Sequence, residues 1–295
     1  MLRSIVSVFA LVPLALAGLV PRQGPNTYFY GHETDMTSAG NFTLHLAPVS
    51  KTFAQQLAGD IQLLPVTGLP ADFLKDDEHV LLFSQQYMSD IRQRLAGIDL
   101  RIDRLNSFSL IVPFVDAAKD GKTPFSFIQH VYQDQLIPST VSVLAKIDSE
   151  VATFKPKDAA YSQIAPGLFS FQILQGLANA IDGPGPEGPR FEALFEPAPQ
   201  RSVTAEMFQA IQGQPITYSG DGCTTQTFDW TVPFAEPFFA TGDVETYSPL
   251  TPTPMQWKGL QSWSSSAVGL APATVNANFG LSDCGEIARN QSQKA

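Results

Sequence analysis

PFSFIQHVYQ, residues 124–133, decides the fold. Alternation divides it into two faces, with Phe125, Phe127, Gln129 and Val131 on one and Ser126, Ile128, His130 and Tyr132 on the other. Both faces are substantially apolar, so this strand belongs to a sheet that is covered on both sides or curled on itself. Neighbouring stretches repeat the pattern: HVLLFSQQYM (79–88), NSFSLIVPFV (106–115) and STVSVLAK (139–146) read as strands, joined by turn-like or charged connectors such as Asp120-Gly121. DSEVATF (148–154) continues or pairs with the last of these.

Further out, residues 24–40 are polar, aromatic and irregular, and read as an extended arm. NFTLHLA (41–47) places Phe42, Leu44 and Leu46 opposite Thr43 and His45, which predicts a strand. In residues 50–61, Phe53, Leu57 and Ile61 recur every fourth position, which predicts a short amphipathic helix. A second helix is expected over 167–181, from Leu168, Phe171, Leu174, Leu177 and Ile181, and a third over 203–212. DGPGPEGPR (182–190) can form neither helix nor central strand and reads as a linker. FDWTVPFAEPFF (228–239) is strand-like, and Trp230, Trp257 and Trp263 are expected in buried packing.

The first 17 residues carry one basic side chain, Arg3, an apolar run and the small-residue pattern Ala15-Leu16-Ala17, the form of a secretory signal cut after Ala17. The run is too short for a membrane anchor. About 280 residues remain, enough for a core that needs no cross-links. The expected division is 1–17 signal peptide, 18–181 β-rich core, 182–190 linker, and 191–295 a C-terminal extension completing or capping the same domain. A formal net charge of −10 repels nucleic acid and anionic membranes, so neither is an expected partner, and the signal implies a secreted, extracellular setting. The oligomeric state is left open. Cys223 and Cys284 are the two cysteines, and in an exported chain they form one disulfide. Asn41-Phe42-Thr43 and Asn290-Gln291-Ser292 are acceptor triplets for glycosylation at Asn41 and Asn290.

No motif for a phosphate loop, a dinucleotide, a zinc protease or a nucleophile elbow is present, and the four histidines lack ligand spacing. The sequence therefore calls for no cofactor and no metal.

The order strand, helix, LLPVTGLPADF, HVLLFSQQY, SFSLIVPFV and FSFIQHVYQDQLIP leading into LAKIDSEVATF resembles the acetoacetate decarboxylase family over about residues 41–160. Its best points are the LLP at 63–65 and Tyr132-Gln133-Asp134. The resemblance implies an α+β fold, an antiparallel sheet curled into a cone-like barrel with a few flanking helices, and an internal pocket for small keto acids or related carbonyl compounds. It also implies a lysine that forms a Schiff base, which needs a desolvated pocket and a neighbouring cation to lower its pKa. In the register that keeps Glu150, Val151 and Ala152 on the family's residues, Ser149 stands at the lysine position. A shift of three would bring in Lys146 but turn it to the opposite face of the sheet, with Asp148 and Glu150 beside it. The family's acidic pocket residue, sought around 108–110, has no carboxylate counterpart.

The expectation is a secreted, decarboxylase-like barrel without the Schiff-base lysine, binding a small carbonyl or apolar ligand. The residues singled out for binding are Gln86, His130 and Tyr132, and for catalysis Lys146, Ser149 and Glu150. Two alternatives stand beside it: an active decarboxylase or aldolase-type lyase using Lys146 or a pair such as His130 with Glu150, and a structural or interaction protein of the cell surface.

Overall fold

The computed structural model describes residues 24–293 apart from 96, 145, 177–187, 219–221, 232–233 and 272–280. The signal segment and most of the Pro/Gly linker lie outside the described residues. The strands are β1 (Met36–Ser50), β2 (Glu78–Leu95), β3 (Ile98–Val115), β4 (Phe125–Gln133), β5 (Ser149–Lys155), β6 (Ser162–Ala165), β7 (Leu168–Gln175), β8 (Pro189–Pro197), β9 (Ile216–Thr217), β10 (Cys223–Thr224), β11 (Thr227–Asp229), β12 (Phe238–Thr246) and β13 (Met255–Ala271). The helices are α1 (Lys51–Ala58), α2 (Leu136–Leu144), α3 (Ala205–Gln212) and α4 (Cys284–Ser292).

Nine strands in the order β4-β3-β2-β1-β13-β12-β8-β7-β5 form a barrel, closed where β5 pairs with β4. Every contact around the ring is antiparallel except this last one, where Val131, Tyr132 and Gln133 run parallel to Ser149, Glu150 and Val151. The fold is the α+β barrel with few helices that the resemblance implied, with one parallel seam. Strands β8, β12 and β13 are three of its walls, and Pro189 and Arg190 begin β8 rather than ending a linker.

The parallel seam explains why residues 139–146 are not a strand. Parallel neighbours cannot be joined by a tight hairpin and need a crossover. The segment supplies it as α2, despite its β-branched residues. Thr140 Oγ1 donates to the Leu136 carbonyl (2.8 Å) and Ser142 Oγ to the Pro138 carbonyl (3.0 Å), so hydroxyls that would compete with a helix bond back within it. The helix expected over 167–181 is also overturned. Phe169, Phe171 and Ile173 alternate inward as β7, and that period-two set outweighs the three-residue spacing of Leu168, Phe171 and Leu174; residues 177–181 lie outside the described residues.

The barrel interior is aromatic. Phe83, Phe108, Phe125, Phe154, Phe169, Phe171, Phe191 and Phe195 are all buried in one cluster, to which all nine strands contribute. Helices α1 and α4 join it through Ala54, Ala58, Ile287 and Ala288. Ser50 caps α1, its hydroxyl accepting from the Phe53 amide at 3.2 Å. A second cluster covers the outside of β1–β4 and β13, where Val203, Phe208 and Ile211 of the α3 region meet Phe42, Leu44, Leu46 and Trp263.

The face assignment for β4 is corrected by a bulge. Leu110 pairs with His130 and Ile111 with Ile128, so Gln129 is the extra residue. Phe125 and Phe127 therefore share the inner side with Tyr132, while Ile128 and Val131 join the outer cluster. Cys223 of β10 and Cys284 of α4 form the expected disulfide, with Cα atoms 5.0 Å apart. Asn41 sits mid-strand in β1 between β2 and β13 and is 3% exposed, so the folded barrel has no room for a glycan there. Asn290 is exposed on α4. The amino-terminal arm is docked rather than free: Asn26 donates to Thr37 Oγ1 and the Asp90 carbonyl, both at 2.8 Å, and Phe29 is buried under Arg92 and Arg94.

Candidate ligand site on the inner face of the barrel

The Gln129 bulge turns His130 and Tyr132 to the inner side of β4, opposite Leu110 and Phe108 of β3. The free edge of β4 passes here from β9, which pairs with Ser126 and Phe127, to β5, which begins at Val131. Asp148 lies at that passage. Its carbonyl accepts from the Val131 amide (2.8 Å), and its carboxylate lies 2.9 Å from His130 Nδ1. The carboxylate is 67% exposed, whereas the ring it holds is 3% exposed. An ionised carboxylate only accepts, so Nδ1 carries the proton and Nε2 presents its lone pair when the ring is neutral.

His130 Nε2 is buried and has no hydrogen-bond partner. Nor does the hydroxyl of Tyr132, whose ring centroid lies 4.5 Å from that of His130. Burial pushes the Tyr132 phenol above its ordinary value, the charges of Glu150 and Asp148 add to the rise, and Arg190 opposes it. The hydroxyl thus stays protonated at every physiological pH. Glu150 stands directly across the parallel seam from Tyr132. Arg190, the second residue of β8, donates through Nη1 to the Ser248 carbonyl at 2.8 Å. Two buried groups with unmet hydrogen-bonding capacity thus lie side by side, with an anion and a cation near them.

Of the residues singled out from sequence, His130, Tyr132 and Glu150 come together. Lys146, Ser149 and Gln86 do not. Lys146 is exposed in a left-handed turn after α2 (φ 63°), outside the barrel wall. Ser149 pairs with outward-facing Val131 and its hydroxyl lies 3.1 Å from Ser139 of α2. Gln86 lies on the outer side of β2 and donates to Ser84 Oγ at 3.0 Å. Asp134 is a clamp rather than a site residue: its carboxylate takes the Asn106 amide and side-chain nitrogen, each at 3.0 Å, tying the end of β4 to β3. Burial pushes that carboxyl up, against those hydrogen bonds. All eight described lysines are exposed.

Sequence reasoning missed Asp148 and Arg190 as neighbours of the site, because one was read as a charge beside Lys146 and the other as the end of a linker. It also missed a polar rung across the interior. Gln85 Nε2 donates to His45 Nε2 (2.8 Å), leaving Nδ1–H to donate to Ser262 Oγ (2.6 Å). Thr43 and Ser264 hydroxyls lie 3.2 Å apart one rung along. Desolvation pushes His45 down to about 3, so it is neutral. The alternation of Thr43 and His45 against Phe42, Leu44 and Leu46 carried this signal.

No family model and no curated protein matches the sequence. Solved structures do match the fold, a closed barrel of nine strands. The enduracididine biosynthesis enzyme MppR complexed with pyruvate aligns with a TM-score of 0.52 at 10% identity, covering 80% of this chain and 87% of that one. MppR complexed with the condensation product of pyruvate and imidazole 4-carboxaldehyde aligns with a TM-score of 0.51 at 10% identity, covering 92% of this chain and 95% of that one. An acetoacetate decarboxylase-like enzyme from Sphingomonas wittichii RW1 aligns at 0.47, 7% identity, 81% and 90% coverage. The likeness to MppR spans the C-terminal strands as well as residues 41–160, and it is a likeness of fold.

Proposed function

We propose that this chain is a secreted barrel that binds a small carbonyl compound on the inner face of β4 without Schiff-base chemistry. One observation carries the reading: the rings of Tyr132 and His130 lie side by side, and the Tyr132 hydroxyl and His130 Nε2 are both buried and unpartnered. Buried polar groups are ordinarily paired, and a carbonyl oxygen supplies what the phenol lacks. An apolar ligand would leave both groups unmet, which favours a carbonyl compound over it.

Three further facts support the reading. The described lysines are all exposed, outside the desolvated pocket that a Schiff-base lysine needs. A protein of the same fold, MppR, is complexed with pyruvate. The disulfide fits an oxidising compartment, in line with the signal-like first 17 residues, and no described helix is long and apolar enough to cross a membrane.

The test is a calorimetric titration with pyruvate, acetone and levulinate, repeated on Tyr132→Phe, together with borohydride treatment and intact-mass measurement. Binding by the natural chain, at least tenfold weaker in the variant and with no reduced adduct, is the expected result. A lysine adduct, or equal affinity in the variant, overturns the reading.

A further inference from the structure

We propose that His130 and Tyr132 are catalytic residues for proton exchange at the carbon next to the ligand's carbonyl, with Asp148 as the positioning residue. This rests on the binding reading above and adds a reaction to it. Asp148 accepts the Nδ1 proton, so the inward atom of His130 is a base with a free lone pair rather than a donor. A hydrogen-bond acceptor alone would not help to hold a carbonyl oxygen, which also only accepts. Tyr132 can hold that oxygen, and His130 is then left facing another part of the same small molecule. A C–H group beside the carbonyl is what a base in that place can use.

The step balances without an oxidant, a reductant or a second substrate. The Nε2 lone pair takes a proton from the α-carbon. The C–H electrons form the C=C bond of the enolate, and the carbonyl π electrons move onto oxygen, where the Tyr132 O–H holds them by a hydrogen bond. The charge on the imidazolium is met by Asp148. In reverse, Nε2 exchanges its proton with water entering beside the bound enolate and returns solvent hydrogen to carbon, while Asp148, at Nδ1, holds the charge of the ring. The net change is replacement of hydrogen at the α-carbon by solvent hydrogen. Positioned acid–base groups of this kind contribute about 10²–10⁴-fold. Burial of both groups strengthens the phenol's hydrogen bond to a developing oxyanion.

The experiment follows deuterium uptake into the methyl groups of pyruvate and acetone in D2O by proton NMR, with binding measured in the same samples by saturation transfer. The natural chain should exchange the methyl protons well above the buffer rate. His130→Gln and Tyr132→Phe should each fall by at least about 100-fold. Tyr132→Phe removes a hydroxyl without a partner, so it carries the test should His130→Gln fail to fold. Asp148→Asn should lower the turnover while leaving KM in place, because an amide can donate to Nδ1 and move the ring proton to Nε2, and Asp148→Glu should recover part of it. Lys146→Asn, which tolerates the left-handed turn, should leave exchange unchanged. Binding without exchange overturns the catalytic step and leaves the binding reading standing. Exchange that survives in His130→Gln, or that is lost in Lys146→Asn, overturns it too. Neither binding nor exchange with any of the probes overturns both.

Discussion

Tyr132→Phe should stabilise the protein while weakening its ligand response. The tyrosine is fully buried and its hydroxyl has no partner, so the folded state bears the desolvation of a hydroxyl that water satisfies when the chain unfolds. That term is about 1–3 kcal/mol. The ring itself is kept, with Phe108 at 6.3 Å and His130 at 4.5 Å between centroids, so its packing survives the change. Only the dispersion contacts of one oxygen are lost, about 0.1–0.2 kcal/mol each. The net expectation is a gain of about 1–2 kcal/mol, which for a chain of this size is a rise in Tm of roughly 2–6 °C. Scanning calorimetry without ligand measures it. At one pyruvate concentration the natural chain should gain more stability than the variant, because the gain grows with affinity for the folded state. A variant destabilised by more than about 1 kcal/mol would refute the reasoning, since that loss means the hydroxyl has a partner in the free protein.

Acid should weaken the fold through His45. Its folded pKa is depressed from 6.5 to about 3 by burial, so its contribution is complete above pH 6.5 and is lost as pH falls through the interval down to 3. At pH 5 the loss is on the order of 2 kcal/mol; urea midpoints at pH 7 and 5 should show it, and His45→Asn should flatten that difference. Gly242→Ala should cost about 1–3 kcal/mol, because a Cβ there would stand 3.1 Å from His45 Nδ1 and 3.2 Å from Ser262 Oγ, two buried groups bonded to each other and unable to yield. Equal denaturation midpoints for the two proteins would contradict that. Reducing the Cys223–Cys284 bridge, which spans 61 residues, should lower stability by up to about 4 kcal/mol; identical melting with and without reductant would show that the bridge constrains little.

Strands β1 to β4, helices α1 and α3 and the disulfide were legible because each rests on a local period or on a simple pairing of two cysteines. The α2 segment was not. Thr140, Val141 and Val143 favour a strand locally, and only the parallel pairing of β4 with β5, a long-range fact, makes a helical crossover necessary. Residues 168–175 carry helical and alternating spacings together, and the choice falls to the neighbours β5 and β8 that bury Phe169, Phe171 and Ile173. At the site, the identities of His130, Tyr132 and Glu150 could be read, but their direction could not. One inserted residue, Gln129, resets which side of β4 faces inward, and no feature of its sequence announces a bulge. Strand parity alone puts Lys146 and Ser149 on opposite faces of one strand. In the structure the lysine has left the strand altogether, and Glu150 takes the inward position.

The central claim is that a carbonyl ligand engages His130 and Tyr132 rather than a lysine. The most direct measurement is the long-range proton–nitrogen NMR spectrum of the four imidazoles, recorded as pyruvate is added to the full chain. The account predicts that the Nε2 signal of His130 moves and saturates while those of His32, His45 and His79 stay in place, and that the natural protein recovered after borohydride has its original mass. An unmoved His130 signal at concentrations where pyruvate is bound, or a reduced lysine adduct, would contradict it.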